Sequence, residues 1–355
     1  MARHREHGAN ADATIGDVAS AAGVSVATVS RALRGLPNVA PETRTRVAEA
    51  ASRLRYQPDP HASRLAAGRT NAIGMAVPLL DRWYFGKIVA GVESALRRRS
   101  CDLIVYEVDG EAALRRFLSD AAPYRKRTDG LIIADLVVPP DLLDGLVSSG
   151  TVMVTIGDRT DHYSSVMIDN AAAAKLVMDH LIGLGHRRIG LIGGRPDKPI
   201  HLDVPDLRMR GALAVLDEAG IPPGPHHVQS AGFTVTGGYR AMSVMLEHPD
   251  PPTAVFAFSD EMAIGAIRAA RERGLRVPDH LSVAGFDDHD VAWALDLTTV
   301  AQPVIGLGET VTELLLEHVR DPSLPPTHEI RAVTLRARGS TGPAPGMPTR
   351  QGDDS

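Results

Sequence analysis

Two hydrophobic rhythms divide this 355-residue chain. Up to about residue 57, apolar positions recur at three- and four-residue steps, the period of an amphipathic helix. From Asn71 onward, short continuous apolar runs alternate with such stretches. The first rhythm opens at Thr14, whose hydroxyl can cap a helix, with Asp17 three residues on as the partner of a capping box. Ile15, Val18, Ala19 and Ala22 then share one face. Gly23 supplies a left-handed turn, and Ser25 caps a second helix in which Val29 and Leu33 repeat four apart. The outer side of that helix carries Val26, Ala27, Thr28, Ser30 and Arg31, small side chains without acid that a major groove can admit. A helical hairpin with a glycine turn also occurs in proteins that never meet DNA. A third helix narrows the choice: Pro41 opens it, and its Val47, Ala50 and Leu54 close a small core over the first two. The spacing therefore predicts a helix-turn-helix domain over residues 14–57, preceded by a flexible arm over 1–13.

Pro58 and Pro60 stop the third helix, Asp59 can cap a new one, and Gly68 ends it after barely two turns. A helix so short is unstable alone, so residues 58–70 read as a hinge that folds only against a partner. Beyond it the alternation is that of parallel sheets with helices on both faces. Strands are expected at 72–78, 103–108, 130–134 and 152–156, with a helix over 86–99, making one lobe. A second series is expected to begin with a strand near 166–169, followed by helices over 171–184, 207–219, 237–247 and 261–273 and strands at 189–192, 254–257 and 281–286. The fold class is thus an all-α helix-turn-helix headpiece followed by an α/β core of two doubly wound parallel sheets. The stretch 339–355 is polar and rich in Pro and Gly and reads as a disordered tail.

Charge sharpens this division. Residues 1–70 hold ten Arg, no Lys and six acids, a net of +4, whereas the remaining 28 basic and 37 acidic residues leave −9. Phosphate affinity is thereby confined to the first part of the chain. The single cysteine, Cys101, excludes an internal disulfide and a cysteine-based metal cluster. The fourteen histidines show no metal-ligand spacing, and no nucleophile elbow, phosphate loop or dinucleotide fingerprint is present, so neither catalysis nor a cofactor is expected. The N-terminus has no apolar signal region and no run approaches a membrane span, which places the expected site of action in the cytoplasm.

The motifs DVASAAGVSVATVSRAL, NVAPETRTRVAEAASRLRYQPD and ASRLAAGRTNAIG resemble the headpiece and hinge of the lactose-repressor (LacI/GalR) family of bacterial transcription regulators. The resemblance continues through LGHRRIGLIGG, PPTAVFAFSDEMAIGAIRAARERGLRVPDHLSVAGFDD and LTTVAQP, and so covers nearly everything from Thr14 to about Arg338. It implies a two-lobed periplasmic-binding-protein-like core over 71–338 in which the chain crosses between lobes three times. The first lobe then comprises about 71–159 and 303–320, and the second about 160–302 and 321–338. It also implies a homodimer, or a higher assembly, on a pseudo-palindromic DNA operator, with affinity controlled by a small-molecule effector, a sugar or sugar derivative.

On DNA, the family's base-reading positions fall on Val26, Ala27 and Arg31, of which Arg31 can pair bidentately with guanine. Thr14, Ser25 and Thr28 suit phosphates. Leu65 matches the residue that the family wedges into the minor groove, with Ala62 beside it. Ala40 stands where a Ser or Thr cap is usual, His61 where an aliphatic is usual, and a Pro-Pro pair is missing before LTTV.

A ligand between two such lobes sits at the carboxyl ends of strands. Asp158, Ser259, Asp260, Asp287 and Asp288 all follow apolar runs, and Arg208 opens the helix LRMRGALAVL. Carboxylates accept from vicinal hydroxyls and an arginine donates to them, while Phe233 and the group Trp83, Tyr84 and Phe85 offer ring faces. The resemblance places effector contacts at Asp158, Arg208, Phe233, Ser259 and Asp287; Trp83 and Phe85 join them as stacking candidates. Each has a duller reading: Asp260 as the cap of the helix EMAIGAIRAA, Asp288 as a loop acceptor, Arg208 as a partner of Asp203 or Asp206, and the aromatic group as a staple of helix to sheet. The alternatives for the whole chain are a sugar-binding protein of a transport system and a doubly wound sugar or nucleotide enzyme.

Overall fold

The computed structural model describes residues 13–33, 35–56, 70–119, 124, 126–194, 203–224 and 226–345. The chain divides into two compact units at the step from Asn71 to Ala72. In the first, helices α1 (Ile15–Ala22), α2 (Val26–Leu33) and α3 (Pro41–Arg53) enclose a core of Val18, Ala19, Ala22, Val29, Ala32, Val47, Ala50 and Ala51. The local chemistry is as expected. Thr14 and Asp17 form a reciprocal capping box, and Gly23 ends α1 in the left-handed region at φ 64°. Ser25 Oγ accepts from the Thr28 amide at 3.1 Å at the start of α2. Ala40 provides no side-chain cap for α3, whose first position is Pro41.

The second unit contains two six-stranded sheets. The first lobe is built on β1 (Ala72–Val77), β2 (Asp102–Glu107), β3 (Gly130–Ala134), β4 (Met153–Ile156), β5 (Ser164–Met167) and β11 (His328–Ile330), in the order β11-β5-β4-β3-β1-β2, every pairing parallel. Helices α4 (Trp83–Arg97) and α11 (Val304–Arg320) pack on one another beside it, so closely that a Cβ on Gly91 would strike the Ile305 carbonyl. Leu114, Phe117 and Leu118 of α5 (Glu111–Leu118) and Leu146 of α6 (Pro140–Ser148) pack with Ala76, Leu131, Ile133 and Met153 in a smaller core.

The second lobe has β6 (Ile189–Gly193), β7 (Val228–Ser230), β8 (Ala254–Ala257), β9 (Ser282–Asp287), β10 (Thr298–Ala301) and β12 (Thr334–Arg336), in the order β12-β10-β9-β8-β6-β7. Among the described residues its one antiparallel pairing is β10 with β12. Helices α7 (Asn170–Gly183) and α8 (Asp203–Glu218) pack together, as do α9 (Val235–Glu247) and α10 (Asp260–Glu272). In the first sheet the strand order turns back at β1, and in the second at β6, leaving crevices at the carboxyl ends where doubly wound proteins bind ligands.

Three expectations change. The strand near 166–169 is β5 at 164–167 and belongs to the first lobe, so the first crossing falls at 168–169 rather than near 160. The stretch 321–338, expected in the second lobe, is divided: β11 stays in the first sheet beside β5, and the chain crosses over Arg331–Val333 before β12 joins the second. Residues 339–345 form no loose tail. Ser340 is 4% exposed, exchanges hydrogen bonds with the Val283 backbone and accepts from the Thr298 amide, while the Ala344 amide donates to the Leu184 carbonyl. His186, fully buried, receives this strap by bonding Ser282 and the Gly342 carbonyl. Residues 1–12 of the expected arm, 58–69 of the expected hinge, with Ala62 and Leu65, and 346–355 of the expected tail lie outside the described residues.

Candidate functional site

In the headpiece, Ser25, Val26, Ala27 and Arg31 are exposed along one side of α2, while Val29 and Ala32 on the other are buried. Val26 is 47% exposed, an apolar side chain open to solvent among the described residues. Arg31 rests one guanidinium nitrogen on the Pro37 carbonyl at 3.2 Å. Thr14, Ser25 and Thr28 all serve as capping-region hydroxyls: Thr14 with Asp17, and Ser25 with Thr28 at 2.9 Å.

In the second unit a cleft lined by residues of both lobes forms a cavity between them. From the first lobe it is lined by Leu79, Arg82, Trp83, Tyr84 and Phe85 after β1 and at the start of α4, and by Asp135 at the end of β3. From the second lobe come Val204, Pro205 and Arg208 of α8, Phe233, Ser259 and Glu261 at the start of α10, and Asp287 and His289 after β9. The strand-end placement follows from register. Side chains within the strands alternate into the two packed faces, and only residues at the carboxyl ends are free to turn inward. Three wall residues do so through left-handed backbone rare for side-chain-bearing residues: Asp135 at φ 49°, Phe233 at 55° and Asp287 at 112°.

Polar groups meet at one place. Arg208, 4% exposed, donates to the Asn170 side chain at 2.9 Å and to the Phe258 carbonyl, and its guanidinium lies 3.5 Å over the Phe286 ring. Asp287 stands 4.0 Å from it and accepts from Gln302 at 2.6 Å. Burial pushes the Asp287 carboxyl up to about 7, against the pull of Arg208 and the Gln302 bond. Burial likewise raises Asp135 to about 6, opposed by a hydrogen bond from Tyr84 and by Arg208. Glu261 is raised by burial, with Arg82 and the Trp83 backbone amide opposing. Two acids beside one guanidinium, all nearly dry, form a site that gains from a ligand bearing hydroxyl donors.

Six expected residues share this cavity: Trp83, Phe85, Arg208, Phe233, Ser259 and Asp287. Asp158 does not line it. After Gly157, in the left-handed region at φ 86°, the Asp158 carboxylate faces the Val138 amide at 3.4 Å, and its carbonyl accepts from Thr155. The inward carboxylate of that wall is Asp135, on the neighbouring strand, and it closes so tightly on Gly157 that a Cβ there would strike Asp135 Oδ1. Asp135 was open to discovery, since it follows the apolar run GLIIA just as Asp158 follows VTIG. Glu261, Arg82 and His289 carried no such signal.

The duller readings also resolve. Ser259, not Asp260, caps α10, accepting from the Met262 amide at 3.3 Å. Asp260 is the first helical residue and turns inward to take the Thr299 hydroxyl at 2.6 Å and the His289 amide at 2.7 Å, fixing the loop after β9. Asp288 pairs with Arg338 at 2.7 Å.

A small helical DNA reader together with a two-lobed α/β core that encloses a ligand cavity defines the class of ligand-responsive transcription regulators. Residues 14–59 match the family model for bacterial regulatory proteins of the lacI family, and residues 178–341 match that for a periplasmic binding protein-like domain. The HTH-type transcriptional repressor CytR of Escherichia coli (strain K12) is 32% identical over 337 residues, 94% of this chain and 97% of that protein. Among solved structures, the lac repressor dimer bound to operator and the anti-inducer ONPF superposes with a TM-score of 0.80 at 28% identity, over 94% of this chain and 100% of that one. The complex of the transcriptional regulator CelR with cellobiose does so with 0.67 at 29% identity, over 92% and 99%. The chain belongs to the LacI family of DNA-binding transcription regulators. The transport-protein and enzyme alternatives are thereby set aside. Among the described residues no helix is long and apolar enough to cross a membrane.

Proposed function

We propose that this protein is a cytoplasmic repressor that binds a pseudo-palindromic operator as a homodimer and is controlled by a sugar or sugar derivative held between its lobes. The observation that carries the effector half of this reading is the convergence of Asp135 from one lobe with Arg208 and Asp287 from the other beside aromatic rings. Such a set offers both acceptors and a donor to hydroxyls, and Trp83 and Phe233 offer faces to the apolar side of a ring. The complex of CelR with cellobiose supports the same chemical class. A ligand held by residues of both lobes favours one lobe arrangement over others, and differential affinity of this kind is what shifts a two-state equilibrium.

On DNA, Arg31 leaves the Pro37 carbonyl to read a guanine, Val26 and Ala27 meet base edges such as a thymine methyl, and Thr14, Ser25 and Thr28 approach phosphates. Leu65 and Ala62 of the hinge enter the minor groove. Two protomers place two readers on the two halves of the site. The test is a titration of a fluorescent duplex from the gene's own promoter. Leu65→Ala is expected to lose specific affinity while still binding effector, and Asp287→Ala to keep operator affinity while losing the effector response. Retention of specific affinity by the first variant removes the wedge role, and a retained response in the second removes the effector assignment.

A further inference from the structure

The lobes are joined by a set of contacts that lies beside the effector cavity and shares Trp83, Glu261 and His289 with its wall. Trp83, at the start of α4 in the first lobe, donates its indole N–H to Asp290 Oδ2 of the second lobe at 3.0 Å. Lys87, one helical turn later, reaches the same oxygen at 2.8 Å and stands 5.5 Å from the centroid of the Trp83 ring. The Trp83 ring stacks on His289 with centroids 4.8 Å apart and planes 29° apart. The Trp83 backbone amide also bonds Glu261 on α10. Behind these groups, Asp260 grips the His289 amide, so the loop that presents His289 and Asp290 is anchored to the second lobe's buried interior. Beyond the Trp83–Asp290 bridge lies a second, more open space, also lined by Lys87, Gln302 and Pro303, next to the chain crossing that follows β10. The bridge thus separates the effector cavity from the crossover side of the cleft.

We infer that Trp83, Lys87 and Asp290 form a latch that holds the lobes closed by protein contacts alone, so that latch strength, and not only effector contacts, sets the population of the closed core. Two donors from one helix converge on one oxygen of the opposite lobe, and neither bond survives separation of the lobes. Asp290 is solvent-facing, with its side chain 61% exposed, so the ion pair with Lys87 is weak alone; the effect comes from the shared acceptor and the stacked ring acting together. Trp83, Glu261 and His289 belong both to this set of contacts and to the cavity wall, which couples the two. The latch works whichever effector the cavity takes, and its test does not need one.

The chain has two tryptophans, and the other, Trp293, is 75% exposed, so Trp293→Phe leaves Trp83 as the sole indole reporter at little structural cost. In that background, Asp290→Ala and Lys87→Met are each expected to shift Trp83 emission to the red and raise its acrylamide quenching constant roughly twofold or more. The double variant is expected to exceed neither single one by much, because both remove one device. Small-angle scattering of the same samples should show a more extended core. Asp279→Ala, which removes an exposed carboxylate paired with Arg276 at 2.8 Å, serves as the control and should change none of these readings. Unchanged quenching and scattering in both latch variants, or equal changes in the control, overturns the inference.

Discussion

Asp287 carries much of the chemistry proposed for the cleft, and its burial gives it a pH dependence of definite sign. Its carboxyl is raised from an ordinary 3.8 to about 7 in the folded protein. The folded state therefore binds a proton that the unfolded state releases between these values. The stability this confers is fully present below about pH 4 and is lost as pH rises through 7. Asp287→Asn does not titrate. The variant should match the parent near pH 4 and be more stable at pH 8, by an amount on the order of 4 kcal/mol, while failing to respond to effector. Denaturant melts at the two pH values check this; a constant difference would show that the carboxyl is ionised throughout. Hydroxyls that donate to ionised Asp287 offset its cost, so effector affinity should rise between pH 6 and 8. In the reader, Arg31→Ala should remove about 1–3 kcal/mol of discrimination at one G·C pair, measured by competition between operator variants. Equal loss on all sequences would instead mark Arg31 as a phosphate contact.

At the level of elements, the strap after β12 gives the largest expected effect. Ser340 and Gly342 satisfy the Val283 and Thr298 amides, Ser282 and His186 inside the second lobe. A chain ending at Arg338 leaves these groups unpaired, at about 1–3 kcal/mol each before relaxation. The melting temperature should fall by roughly 6 °C or more. Ending the chain after Pro345 keeps these bonds and should melt above the shorter chain, and equal melting of the two truncations would contradict the strap's role. The strap was also illegible in the sequence. The composition of GSTGPAP says only that it is not a helix or a strand, because its order comes from buried groups that are 42 to 156 residues distant along the chain. The same limit hid the change of lobe between β11 and β12, since IRAVTLR is locally one continuous strand-like run and only partners in two different sheets divide it. The headpiece was legible almost residue by residue, because its caps, turn and core are local: Thr14 with Asp17, Gly23, Ser25 with Thr28. Cleft residues were legible where an apolar strand ends in a polar side chain. The choice between Asp135 and Asp158, or between Ser259 and Asp260, depended on which of two similar residues the tertiary structure turns inward.

In the whole molecule as proposed, one cavity governs one DNA-binding activity. Its parts differ in charge, +4 over the first 70 residues and −9 over the rest, a division that favours phosphate contact at the first part. The most direct measurement is an anisotropy titration of a pseudo-palindromic duplex from the gene's own promoter against a scrambled duplex at moderate salt, repeated with a panel of mono- and disaccharides. A preference of roughly a thousandfold for the palindrome is expected. At least one sugar should move the midpoint tenfold or more in the parent protein and not in Asp287→Ala. Equal affinity for both duplexes, or a midpoint that no sugar moves, would contradict the claim.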